Sequence, residues 1–146
     1  MAKVQELVDD AVAAGARVTT GGSPLDRPGF YYPPTVLIDV PAHAALLGEE
    51  IFGPVAPVVA FDSEDEAVGL ANDTEYGLVA YVYTGDLARG LRVSGRIEAG
   101  MIGLNRGVVS DPAAPFGGVK QSGIGREGGH EGVLDYTESK YIATQW

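Results

Sequence analysis

The chain contains no cysteine. That excludes disulfides, thiolate metal sites and a thiol nucleophile drawn from these residues. Basic residues are also scarce: ten Lys and Arg stand against twenty Asp and Glu, for a formal net charge of −10. A phosphate-rich partner needs a basic face, so no nucleic-acid partner is expected, and an anionic membrane surface is disfavoured for the same reason. No apolar run reaches the length of a membrane span. Met1-Ala2-Lys3 leads straight into an amphipathic pattern, and a cytoplasmic protein is expected. The two histidines, His43 and His130, lack metal-ligand company. Without His-Glu-x-x-His spacing, no metal site is expected. None of Ser63, Ser94, Ser110, Ser122 or Ser139 lies in a G-x-S-x-G elbow, which argues against a hydrolase triad.

What is present describes a soluble globular chain. Its 146 residues suggest one domain, and 45% hydrophobic with 21% charged content suits a packed core. Val4, Leu7, Val8, Ala11 and Val12 recur at helical spacing before Gly15, predicting a helix over 4–14. Strands are expected at 17–20, 35–40, 55–61, 78–83 and 101–104, with one helical turn over 43–47. The valine-rich run 55–61 reads as a strand covered on both faces. Ser63-Glu64-Asp65-Glu66 has the form of a capping box opening a helix that stops near Asn72. Asp86 is placed to cap a further helix, with Leu87, Leu91 and Ile97 on one face. Glu75-Tyr76-Gly77 reads as a turn. The order strand, helix, strand, helix, strand from 55 to 105 predicts an α/β fold with a mostly parallel sheet and flanking helices. The glycine-rich stretch 106–132 should wander over the surface, with a short helix near 132–136. Residues 140–146 alternate and read as a final strand.

Two stretches carry the chemistry. Gly48-Glu49-Glu50-Ile51-Phe52-Gly53-Pro54 sets two carboxylates and a ring at the mouth of a strand. A carboxylate there can accept two hydrogen bonds from a diol, and the ring can press on a flat heterocycle. The second is Pro115-Phe116-Gly117-Gly118-Val119-Lys120-Gln121-Ser122-Gly123-Ile124-Gly125-Arg126-Glu127. Within it, Gly123 to Gly128 matches G-x-G-x-x-G in letters, but no apolar strand precedes it, so it is not a dinucleotide fingerprint. A P-loop fails because Ile124 stands where the lysine belongs. Glu49 and Glu50 are adjacent and cannot flank one glycosidic bond.

With Tyr76-Gly77-Leu78 between them, these stretches resemble, in order, the C-terminal part of the aldehyde dehydrogenase superfamily. Residues 105–126 are most similar to the succinate-semialdehyde dehydrogenase branch. The resemblance implies that Glu50 holds the hydroxyls of the nicotinamide ribose and that Phe52 lies against the nicotinamide, with NAD or NADP as cofactor. It implies that Ser110 helps bind the distal carboxylate of a small aldehyde and that Phe116 forms part of the apolar wall beside it. It further implies residues 1–136 as the C-terminal portion of a catalytic domain, and 137–146 as an oligomerisation-type strand in a homo-oligomer. The family's cysteine nucleophile, general base and Rossmann-type domain would lie in a missing N-terminal portion. Without a cysteine this chain cannot form a thiohemiacetal, so no residue here is assigned a catalytic role. The chain alone is expected to be inactive, to bind NAD(P) weakly and to expose apolar surface. The competing reading is a non-catalytic binding or oligomerisation module derived from that family.

Overall fold

The computed structural model describes every residue, Met1–Trp146, as two compact units, Met1–Thr74 and Glu75–Trp146. In chain order the first unit holds α1 (Ala2–Ala13), β1 (Arg17–Thr20), β2 (Thr35–Ile38), α2 (Ala45–Gly48), β3 (Val55–Pro57) and α3 (Glu64–Asn72). The second holds β4 (Tyr76–Gly77), β5 (Val79–Val82), α4 (Leu87–Ser94), β6 (Met101–Leu104), β7 (Val119–Lys120) and a 3-10 turn, Glu131–Tyr136. No helix is long and apolar enough to cross a membrane.

The first unit is built around the apolar stripe of α1. Val4, Leu7, Val8 and Ala11 are buried, and Leu7, Val8 and Ala11 share one core with Leu37 of β2 and Leu46 of α2. The helix ends in a Schellman motif: Ala16 N–H donates to Ala11 O at 2.9 Å and Gly15 N–H to Val12 O at 3.0 Å, with Gly15 at φ 117°. Glycine meets that φ without a Cβ penalty. Sheet order is β1-β2-β3, antiparallel between β1 and β2 and parallel between β2 and β3. Thr35, buried in β2, is satisfied on both sides: its hydroxyl donates to Pro33 O at 3.0 Å and accepts from Gly22 N–H at 2.9 Å.

The valine run is a correction to the expected strand covered on both faces: Ala56, Val58 and Ala60 are exposed while Val55, Pro57 and Val59 are half-buried. Its ladder stops at Pro57, and β3 lies at the sheet edge. Val58 and Phe61 are exposed. Proline has no N–H to offer a further neighbour, which suits an edge. The cap of α3 is as expected on one side, with Ser63 Oγ accepting from Glu66 N–H at 3.2 Å. Glu66 reaches back one residue further than a standard box, accepting from Asp62 N–H at 2.8 Å.

In the second unit, β5 and β6 pair in parallel from Val79↔Met101 to Val82↔Leu104, with α4 between them in sequence. Asp86 Oδ1 caps α4 by accepting from Arg89 N–H at 3.2 Å. Gly90 is the buried residue of α4, while Leu87 and Leu91, one turn apart on one face, are exposed. A Cβ at Gly90 would meet Leu104 Cδ1 at 2.8 Å, so glycine is what lets the helix lie close on β6. Tyr76-Gly77 is not a turn but β4, paired antiparallel with β7. The sheets are therefore small and mixed, three-, two- and two-stranded, not one mostly parallel sheet. Residues 137–146 form no strand and are exposed throughout. A strand needs a ladder partner, and alternation alone does not supply one.

Candidate functional site

In the first unit, Glu50 and Phe52 lie on the loop between α2 and β3. Three contacts fix that loop. Lys3 Nζ donates to Glu50 O at 3.0 Å and pairs with Glu49 at 3.1 Å. Gly53 sits against Val4, where a Cβ would meet Cγ2 at 2.8 Å. Thr35 N–H donates to Pro54 O at 2.8 Å. The Glu50 carboxylate is left exposed. Phe52 is 87% exposed and adopts φ 47°, a left-handed conformation that a bulky L-residue rarely takes. Such a residue persists only where its surroundings over-determine it, and such residues gather at ligand clamps. Its ring lines a concavity of about 260 Å³ with Phe30, Tyr31 and Tyr32. The Arg27 guanidinium lies 3.7 Å from the centre of the Tyr31 ring. Burial, with a smaller push from Asp9, raises the Tyr32 phenol above its ordinary pKa. Three consecutive aromatics at 30–32 were the sequence signal for this cluster, and sequence reasoning passed over them.

In the second unit the chain leaves β6 through Asn105, at φ 52°. Its side chain copies a backbone pair. Oδ1 accepts from Thr84 N–H at 2.9 Å and Nδ2 donates to Thr84 O at 2.8 Å, so the ladder continues one step beyond the strands. The loop then turns at Asp111, whose Oδ1 accepts from Ala113 N–H at 2.9 Å. Phe116 and Glu127 exchange two backbone hydrogen bonds, each 2.7 Å, and Gly129 N–H donates to Pro112 O at 3.2 Å. These bonds fold the loop over a pocket of about 260 Å³ lined by Ser110, Asp111, Pro112, Ala114, Phe116, Glu127 and Gly128. Ser110 and Phe116 are thus brought together. No Lys or Arg is among those residues. Beyond Phe116 lies a second pocket of about 300 Å³, which Phe116 also lines, together with Arg126 and Asp135.

The G-x-G-x-x-G letters sit in irregular backbone. Gly123 and Gly128 have positive φ, Ile124 is 91% exposed, and no α-helix follows. The phosphate-cradling geometry of a helix N-terminus is not formed here. No group of three or more His, Cys, Asp or Glu could hold a metal ion. Sequence reasoning gave Arg126 no role, although it is half-buried and its Nη1 reaches three backbone carbonyls.

The chain belongs to the aldehyde dehydrogenase family, whose model matches residues 1–142. Among curated relatives, the succinate-semialdehyde dehydrogenase of Paenarthrobacter nicotinovorans is 60% identical over 139 residues, covering 95% of this chain and 31% of that protein. The NADP(+) succinate-semialdehyde dehydrogenase of Escherichia coli K12 is 49% identical over 142 residues, covering 97% and 29%. The glutarate-semialdehyde dehydrogenase of Pseudomonas aeruginosa is 49% identical with the same coverage. Of solved structures, an E. coli NADP-dependent enzyme superposes with a TM-score of 0.93 at 50% identity, over 97% of this chain and 29% of that one. A succinate-semialdehyde dehydrogenase from Burkholderia pseudomallei gives 0.89 at 50% identity, over 92% and 28%. The chain spans about three tenths of the length of these curated relatives.

Proposed function

We propose that the chain supplies part of the cofactor and aldehyde sites of an NAD(P)-dependent aldehyde dehydrogenase that oxidises succinate semialdehyde or a similar short acid-aldehyde. The observation that carries the reading is the pocket shared by Ser110 and Phe116. It combines a hydroxyl donor with an apolar ring on a folded loop, in a chain 60% identical to a succinate-semialdehyde dehydrogenase. Ser110 donates to the substrate's distal carboxylate, and Phe116 packs beside the aldehyde end. Asp111 and Glu127 also line this pocket, so the hydroxyl cannot hold an anion unaided. The compensating positive charge must come from protein outside these lining residues.

Glu50 and Phe52 suit the nicotinamide half of the cofactor. An exposed carboxylate can accept both hydroxyls of a ribose, and an exposed ring can limit where a flat heterocycle swings. The bound nicotinamide would supply the hydride acceptor. The phosphates, the nucleophilic cysteine and the general base fall to protein beyond this chain, which by itself is inactive. The same division leaves NAD and NADP both open as cofactor.

The test uses the Paenarthrobacter nicotinovorans enzyme with its corresponding region replaced by this chain. Activity on succinate semialdehyde is expected. Ser110→Ala should raise the KM for that substrate about tenfold while leaving a non-acidic aldehyde nearly unaffected. Glu50→Gln should lower kcat through nicotinamide positioning. Unchanged kinetics in both variants would remove these assignments.

A second reading has its own observation. Tyr141, Ile142 and Trp146 are 90%, 74% and 108% exposed at the end of an alternating segment. Residues 137–146 would then add as a strand to a neighbouring copy, giving a homo-oligomer, or an assembly module if the chain acts alone. Sedimentation of the purified chain as a strict monomer would count against it.

A further inference from the structure

We propose that Arg126, held by Asp135, is a positioning residue that sets where Phe116 stands in the aldehyde pocket. The proposal rests on the reading of that pocket given above, and extends it from the residues that touch substrate to the device that places them.

Arg126 Nη1 donates to Gly118 O at 2.7 Å and Gly125 O at 2.8 Å, and lies 3.3 Å from Ile124 O. One nitrogen has two hydrogens, so the two short bonds take both and the third carbonyl shares. Gly118 and Gly125 belong to different passes of the loop, and a single cationic nitrogen therefore bridges two passes. The two passes lie close: a Cβ at Gly117 would collide with Gly125 O and the Arg126 side chain. Charge-assisted bonds to carbonyls are about twice as strong as neutral ones, so the bridge outweighs the backbone freedom of the glycines around it.

Arg126 is itself fixed from behind. Its backbone N–H donates to Asp135 Oδ2 at 2.9 Å, from the 3-10 turn. The next residue, Glu127, exchanges both 2.7 Å bonds with Phe116. The linkage runs from Asp135 to Arg126, to Glu127 and to Phe116. Phe116 adjoins Gly117-Gly118 on its other side, where the guanidinium takes hold. The backbone of Phe116 is thus set from both directions by one arginine. Its ring borders both the aldehyde pocket and the pocket lined by Arg126 and Asp135.

Lysine would keep the charge and only part of the function. A compact ammonium on a flexible stem lacks the preorganised fork and spans the two passes less rigidly. The expected order of disturbance is Arg126→Gln greater than Arg126→Lys, with Asp135→Asn intermediate.

The experiment compares these variants in the same replaced-region Paenarthrobacter nicotinovorans enzyme. Arg126→Gln should raise the KM for succinate semialdehyde about tenfold with kcat per folded enzyme within about twofold, because misplacing a binding wall weakens substrate capture before it weakens chemistry. Arg126→Lys should recover part of that loss. In parallel, hydrogen exchange on this chain should show the Phe116 and Glu127 amides exchanging about tenfold faster in Arg126→Gln, with the α1 amides unchanged. If Arg126→Gln fails to fold, Arg126→Lys and Asp135→Asn carry the comparison. An unchanged KM in folded variants, or unchanged exchange at Phe116 and Glu127, overturns the proposal. Loss of activity on succinate semialdehyde in the unsubstituted replaced-region enzyme sinks the substrate reading instead, and the exchange result still decides whether Arg126 pins Phe116.

Discussion

Phe52 offers a test in which stability and function move apart. The residue sits at φ 47° with 87% of its surface exposed. The small buried remainder of its ring, about 25 Å², contributes only about 0.6 kcal/mol by the area rule. Phe52→Ala should therefore destabilise the chain by no more than that, because the backbone keeps its left-handed strain. Phe52→Gly loses the same contact but relieves the strain, which for an L-residue is worth about 1 kcal/mol. The glycine variant should be about 1 kcal/mol more stable than the alanine variant and at least as stable as the native chain. At urea slopes of about 1–3 kcal/mol per molar, its midpoint should lie about 0.5 M above that of Phe52→Ala. Equilibrium urea unfolding, followed by circular dichroism, reads this directly. On the cofactor role proposed for Phe52, both variants should lower kcat equally in the replaced-region enzyme, since neither keeps the ring. A glycine variant that unfolds at or before the alanine variant would refute the claim that the chain holds Phe52 under strain.

Three further outcomes follow from the packing and the titrating groups. Leu37 is fully buried in the first unit, so Leu37→Ala should cost about 2–5 kcal/mol and leave the unit largely unfolded by circular dichroism. Asp86→Ala removes the cap of α4 and should cost about 1 kcal/mol, whereas Asp86→Ser should recover most of it in the same denaturation assay. The Tyr32 phenol is raised above its ordinary value of 10.0, first by burial and then by Asp9. Its contribution is fully present below pH 10 and is lost as pH rises through the folded-state value. An ultraviolet titration should show the Tyr32 phenol titrating late, and Tyr32→Phe should remove that late component.

The parts of the fold that were legible in the sequence are those decided locally. The stripe of α1, the Asp86 cap and the β5-α4-β6 order each follow from spacing within a few residues. The misread parts depend on distant partners. Tyr76-Gly77 looks like a turn until Lys120 and Val119 come to pair with it. The run after Val55 has strand composition, but its place at an edge is set by which strand lies beside β2, and composition does not say. The leucines of α4 share a face, but which face packs inward is set by Gly90, where the missing Cβ allows close approach to Leu104. At the site, Ser110 and Phe116 were identifiable by their motif and share a pocket. Arg126 was not singled out, because its role arises only when two passes of a glycine loop cross. No pattern of spacing announces that crossing.

Phe116 is a party wall. On the aldehyde-pocket reading proposed above, trimming the ring to admit a longer or bulkier aldehyde would also open a void on the side where Arg126 and Asp135 stand. Variants selected for new substrates at this position should therefore gain tolerance and lose sharpness together. A second change that refills the far chamber, near Leu78 or Tyr136, would be needed to restore discrimination.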